Sequence, residues 1–200
     1  HYKKHQYLVP DYDILLNHLY KIHYIQHLFQ NSAAKSAVDV IATHTYYDSN
    51  HDANWSSLLS AADGKPIWVT ESANLKSLDF SMDDASDYIK WMTRGFNEGG
   101  MTAYMVHLLF DKHIYATPVE GDKEGSSGLV VWDHEENIII PKRYYAFKHF
   151  STLSGKGFIR VSHTHFESDL YVTTFLNSNE NQLVTHIFNS GNQSIPMTVE

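Results

Sequence analysis

The chain contains no cysteine in 200 residues. That excludes a disulfide framework, a thiolate nucleophile and any cysteine-ligated zinc or iron–sulfur centre. Arginine is nearly as scarce, with three residues among 15 Lys and Arg against 23 Asp and Glu. The net charge of −8 opposes a polyphosphate partner, so no nucleic acid is expected. No run approaches 18 apolar residues, so no membrane-spanning helix is expected. Also missing are a phosphate loop, a G-x-G-x-x-G turn and a G-x-S-x-G elbow. What remains is a chain that is 42% hydrophobic and 19% charged, enough to bury a core.

The apolar pattern alternates between two periods. Residues 7–9 (YLV) form a short apolar run closed by Pro10. In residues 13–30, Leu15, Leu19, Ile22, Ile25 and Phe29 recur at three- and four-residue steps, one stripe of an amphipathic helix. Residues 38–46 (VDVIATHTY) are β-branched and read as a buried strand. A weak helix over 54–62 and an Asp63-Gly64 turn follow, then a second strand, Ile67-Trp68-Val69-Thr70, ending on Glu71. Ser81 with Asp84 resembles a capping box opening a helix whose apolar face is Ala85, Tyr88, Ile89, Met92 and Phe96. Gly99-Gly100 ends it, and residues 101–110 (MTAYMVHLLF) read as a third buried strand. Strands alternating with helices predict βα units and a parallel sheet. Residues 112–127 form a long polar loop, and 141–150 a last helix.

After Gly155-Lys156-Gly157 the period shortens. Residues 158–161, 170–175, 183–188 and 195–199 read as short strands separated by turns, the pattern of an antiparallel β-sandwich. A boundary is therefore expected near residue 155.

Glu71 is the sharpest chemical candidate, because the carboxyl ends of parallel strands are where sites are built. Strict alternation aims it the same way as Ile67 and Val69, into a barrel interior. The plain alternative is a Glu that caps the next segment or pairs with a surface Lys. His44 and Tyr46 alternate onto one face at the end of the preceding strand, and a Tyr hydroxyl there can orient a carboxylate. His107, on the face of Ala103 and Met105, adds a third strand end. Trp132, Tyr115 and Trp55 lie in or beside loops, where rings stack on sugars or simply pack. Fourteen histidines invite a metal reading. The pairs His23/His27 and His163/His165 have ligand spacing but no obvious third ligand, so neither a metal nor a cofactor is expected.

The runs VDVIATHTYYDS, GKPIWVTES, GGMTAYMVHLLF and SGLVVWDHEENIIIPKRYYAFKHFSTLSGKGFIRV, in that order, resemble the second half of family-30 glycoside hydrolases. The resemblance covers residues 38–200. It implies a retaining (β/α)₈ barrel with an attached β-sandwich: barrel strands five to eight over residues 1–154 and a sandwich portion over 155–200. It implies hydrolysis of a β-linked oligo- or polysaccharide by double displacement, outside the cell. Glu71 matches the nucleophile, Tyr46 the tyrosine that contacts it, and His44 the wall beside it. Tyr104 lies in the eighth strand. His107 stands where relatives usually place a Trp under the sugar, and residues 108–112 lack the Arg of glucuronoxylanases. The family's acid/base Glu follows an Asn at the fourth strand end. No such pair precedes Glu71, and Asn97-Glu98 falls too late in the order. A barrel of about 250 residues plus a sandwich exceeds this chain, which begins at His1 without an initiator Met or signal peptide. The expectation is a piece lacking the N-terminal half of the barrel, its acid/base residue, and activity of its own. The rival is a non-catalytic carbohydrate-binding protein that reuses the fold.

Overall fold

A computed structural model describes residues 17–46, 54–74, 79–112, 127–132, 135, 137–165, 167–179 and 181–198. The expected first strand at 7–9 and residues 113–126 of the loop expected over 112–127, with Tyr115, lie outside them.

The amino-terminal part is built on a three-stranded parallel sheet, β1 (Ile41–Tyr46), β2 (Ile67–Ala73) and β3 (Met101–Tyr104), in the order β1-β2-β3. Helix α1 (Asn17–Phe29) and the short α2 (Ser32–Ala37) precede it; α3 (Trp55–Ala62) and α4 (Met82–Asn97) make the two crossovers. This is the βαβαβ arrangement that the alternating pattern predicted. Sequence reading missed α2, although Asn31 caps it by accepting from the Ala33 and Ala34 N–H groups at 2.9 and 3.1 Å. The α3–β2 turn follows expectation: Asp63 ends the helix at φ 48° and Gly64 continues at φ 81°, a conformation open to glycine.

One face of the sheet is dry. Ile41, Ile67 and Val69 pack against Leu58 and Ala62 of α3 and Ala85, Tyr88, Ile89 and Met92 of α4. Burying each large apolar side chain contributes about 1.5–3 kcal/mol, which makes this layer the main support of the sheet. Trp55 lies in the same core at the start of α3, so its role is packing.

Two expectations change, one at the third strand and one at the start of α4. The run 101–110 is not one buried strand. β3 stops at Tyr104, and Met105, Leu108, Leu109 and Phe110 are exposed. The chain then enters a second sheet, β4 (Phe110–Lys112), β5 (Val130–Trp132) and β6 (Ile138–Ile139). An apolar run reports burial, but this one is divided between the end strand of one sheet and the exposed approach to a second, where β4 pairs in parallel with β5. The capping box also fails in part. Ser81 caps α4 through the Asp83 N–H at 3.1 Å, but Asp84 turns inward to other partners.

Helix α5 (Lys142–Ser151) packs on α4, and an antiparallel sheet follows: β7 (Ile159–Val161), β8 (Leu170–Asn177) and β9 (Gln182–Asn189). Residues 195–198, expected in a further strand, are not in one. The sheet shares the core of the parallel layer, because Phe175 of β8 meets Phe96 of α4 edge-on at 5.1 Å. Asn97 adds a side-chain bond to the Val172 carbonyl at 2.7 Å.

Candidate active site

β1 and β2 pair in register from Ile41↔Ile67 to Thr43↔Val69, then step to His44↔Glu71. Thr70 is the extra residue, a bulge in β2. It corrects the expected facing of Glu71. Paired residues of parallel strands share a face, so Glu71 faces with His44 and Tyr46, opposite the apolar layer of Ile67 and Val69. Strict alternation failed because it does not survive an inserted residue.

On that face three side chains meet. The Tyr46 hydroxyl donates to Glu71 Oε2, and His44 Nδ1 lies 3.5 Å from the same oxygen. The His44 and Tyr46 rings meet edge-on at 5.8 Å. The Glu71 side chain is 36% exposed and His44 15%. The carboxylate is thus oriented by a phenol yet reachable, which suits a nucleophile or a contact to a bound polar ligand.

The other candidates are placed differently. Tyr104 pairs with Val69, on the helix side, and its hydroxyl bonds Ser72 Oγ. Burial raises the phenol's pKa. Tyr104 therefore braces the residue after Glu71 from behind and is not brought to the carboxylate. His107 reaches the rim through its backbone, whose N–H donates to the Ser72 carbonyl at 3.0 Å. Trp132 is half-buried at the end of β5, paired with Lys112 and Ile138 in the second sheet. His23 and His27 are exposed on α1, and the His163 and His165 rings stack at 5.4 Å. Among the described residues no three His, Asp or Glu cluster as metal ligands, and no helix is long and apolar enough to cross a membrane.

Sequence reading missed the polar core behind this rim. Arg143 of α5 is fully buried and donates to Asp84 Oδ2 at 2.8 Å, to the Gly128 carbonyl at 2.8 Å and to the Asp79 carbonyl at 3.1 Å. Asp84 Oδ1 accepts from the Asn74 amide at 3.0 Å. Burial pushes the Asp84 carboxyl up, against the pull of the Arg143 guanidinium. The available signal was an arginine in an otherwise aromatic stretch of an arginine-poor chain.

The model of the glycosyl hydrolase catalytic core matches residues 16–108. No curated protein sequence matches the chain. Among solved structures, SrfJ from Salmonella typhimurium superposes with a TM-score of 0.75 at 15% identity, covering 88% of this chain and 39% of its own. The endo-β1,6-glucanase BT3312 gives 0.68 at 19% identity, over 84% and 38%. A GH30 endoxylanase from Clostridium papyrosolvens C71 gives 0.59 at 20% identity, over 82% and 37%. The chain thus spans under two-fifths of the length of these three structures. At these identities the superpositions speak for the fold, a partial TIM-barrel-like α/β arrangement. Taken with the catalytic-core match and the strand-end motifs, they make this chain similar to the family-30 glycoside hydrolases.

Proposed function

We propose that this chain carries the nucleophile of a retaining glycosidase acting on a β-linked glycan. The observation that supports it most is Glu71 at the carboxyl end of a parallel strand, held by Tyr46 and flanked by His44 on the open face of the sheet. In the first step a Glu71 oxygen attacks the anomeric carbon while the glycosidic bond breaks. The leaving oxygen takes a proton from a second carboxyl group. In the second step water attacks the glycosyl ester, its proton passes to that second group, and Glu71 leaves as carboxylate. Such a pair stands about 5–5.5 Å apart. Within this proposal the acid/base residue comes from outside these 200 residues, β1 to β3 are barrel strands six to eight, and β7 to β9 form one layer of a sandwich. Secretion belongs to the same reading and is tested by recovering the intact protein from culture medium; exclusive retention in cells counts against it.

The solved relatives include a β-1,6-glucanase and a xylanase, so the proposal stops at the β-linkage. The test is Glu71→Gln in the intact protein. Turnover of aryl β-glycosides should fall by about 10⁴ or more, the scale set by loss of a catalytic nucleophile, with unfolding unchanged. Incubation of the unaltered protein with a 2-deoxy-2-fluoro β-glycoside should label Glu71 in a peptide map. Retained turnover, or label on another residue, refutes the assignment. Saccharide binding without any turnover of either protein favours the carbohydrate-binding alternative.

A further inference from the structure

We propose that Asn74, Asp84 and Arg143 form a buried relay that positions Glu71, a role that rests on reading Glu71 as the nucleophile. β2 leaves the sheet after Ala73, so Glu71 sits two residues from a strand end, where pairing no longer fixes the backbone. Asn74 is the next residue, about 10 Å along the strand from Glu71, and it is gripped twice. Its N–H donates to the Tyr88 hydroxyl at 3.1 Å, and its side-chain amide to Asp84 Oδ1 at 3.0 Å. Asp84 is held in turn by Arg143, whose guanidinium also binds the Asp79 and Gly128 carbonyls and lies 5.4 Å from the centre of the Phe80 ring.

The economy of this arrangement points to position. A buried Asp–Arg pair contributes little net stability over well-packed apolar residues, because desolvating both charges offsets their attraction. Its gain is geometric. The fork has fixed directions, and here it joins four stretches: the end of β2 through Asn74, the chain entering α4 at Asp79 and Phe80, Gly128 on the approach to β5, and α5. A hydrophobic cluster would tolerate sliding of β2 along α4, whereas the amide–carboxylate–guanidinium chain does not. A glycosyl transfer needs the attacking oxygen held to a fraction of an ångström.

The relay is tested in the intact protein with Asn74→Ala, which cuts the link to β2 and leaves the Asp84–Arg143 pair in place. The single-turnover rate of glycosyl-enzyme formation should fall about tenfold or more, with KM within about twofold and assays run well below the unfolding transition. Phe175→Leu is the stability control, since it loosens the core at the contact with Phe96 and removes none of the relay's hydrogen bonds; it should lower the thermal midpoint and leave the rate unchanged. Should Asn74→Ala fail to fold, Tyr88→Phe removes only the hydroxyl that accepts the Asn74 N–H, and it should also slow glycosyl transfer with KM preserved. Rates matching the unaltered protein in the variant that folds overturn the relay, as does a loss reproduced by Phe175→Leu at equal destabilisation. If Glu71→Gln keeps turnover, the nucleophile reading itself fails and takes the relay with it. If Glu71→Gln is inactive while Asn74→Ala is not impaired, only the relay is overturned.

Discussion

Mild acid should loosen the antiparallel sheet from α5 through His186. This residue of β9 is 3% exposed. Its ring stacks on Phe150 at 4.5 Å, meets Phe175 edge-on at 5.7 Å and lies 5.0 Å from the His149 ring. The Ser154 hydroxyl gives its one hydrogen to the Phe150 carbonyl at 3.0 Å. His186 Nε2, 2.9 Å from the same oxygen, must then carry a hydrogen and donate it. Nδ1 is left bare and buried, with no hydrogen-bond partner among the described residues. Protonation would place a charge and an unpaired N–H there, beside a second histidine. Burial, then His149, holds the His186 pKa down to about 4.

The sign follows from linkage. The folded state binds the proton more weakly than the unfolded state, whose histidine titrates near 6.5. The stabilisation is therefore present above about pH 6.5 and is lost as pH falls towards 4. A shift of this size is worth at most about 3 kcal/mol in full, and about 2 kcal/mol between pH 7 and pH 5. Water that follows the proton into the site lowers both figures. The assay is urea unfolding of the intact protein at pH 7 and pH 5, alongside His186→Phe, which keeps the ring stack and removes the titration. The unaltered protein should lose more stability than the variant over that interval. In parallel, the His186 ring proton should titrate near pH 4 by NMR. Equal losses in the two proteins, or a midpoint above 6, would refute the reasoning.

Tyr46→Phe removes the donor to Glu71 Oε2 without changing the ring. A hydrogen bond to a charged group is worth about 1.5–3 kcal/mol, so kcat/KM on an aryl β-glycoside should drop about 10- to 100-fold; an unchanged value would mean that the bond does not serve the reaction. Phe175→Ala empties the contact between the antiparallel sheet and Phe96. It should cost about 3–5 kcal/mol in denaturant unfolding, and a cost under 1 would show that the sheet does not depend on that core.

Local signals made much of this chain legible. The β-branched runs ending in His44-Thr45-Tyr46 and in Thr70-Glu71 became parallel strands. Ser81 began a helix and Gly99-Gly100 followed its end. Each of these is decided within a few residues, by chain stiffness, capping or helix termination. What stayed hidden was set over distance. Arg143 and Asp84 lie 59 residues apart, and neither shows alone that it is buried. The end of β3 at Tyr104 was hidden because residues 105–110 remain apolar while the chain passes to another sheet. The candidate site divides the same way. Glu71, His44 and Tyr46 were readable as strand ends, while the role of Asn74 depends on Asp84 ten residues on and Arg143 beyond it.

The bulge at Thr70 connects these two kinds of information. Without it, alternation would send Glu71 into the layer of Ile67 and Val69, which are 1% and 0% exposed against α3 and α4. An unpaired carboxylate there would cost several kcal/mol. With it, one strand serves opposite needs in succession: apolar residues anchor β2 to the helices, and one inserted residue later the carboxylate faces Tyr46. The same insertion weakens the ladder just where Glu71 must be held still. That is why the grips beyond it matter. Ser72 is tied to Tyr104, and Asn74 to Tyr88 and Asp84, all on the helix side. The polar groups buried behind the rim are thus the mechanical counterpart of the bulge that exposes the carboxylate in front of it.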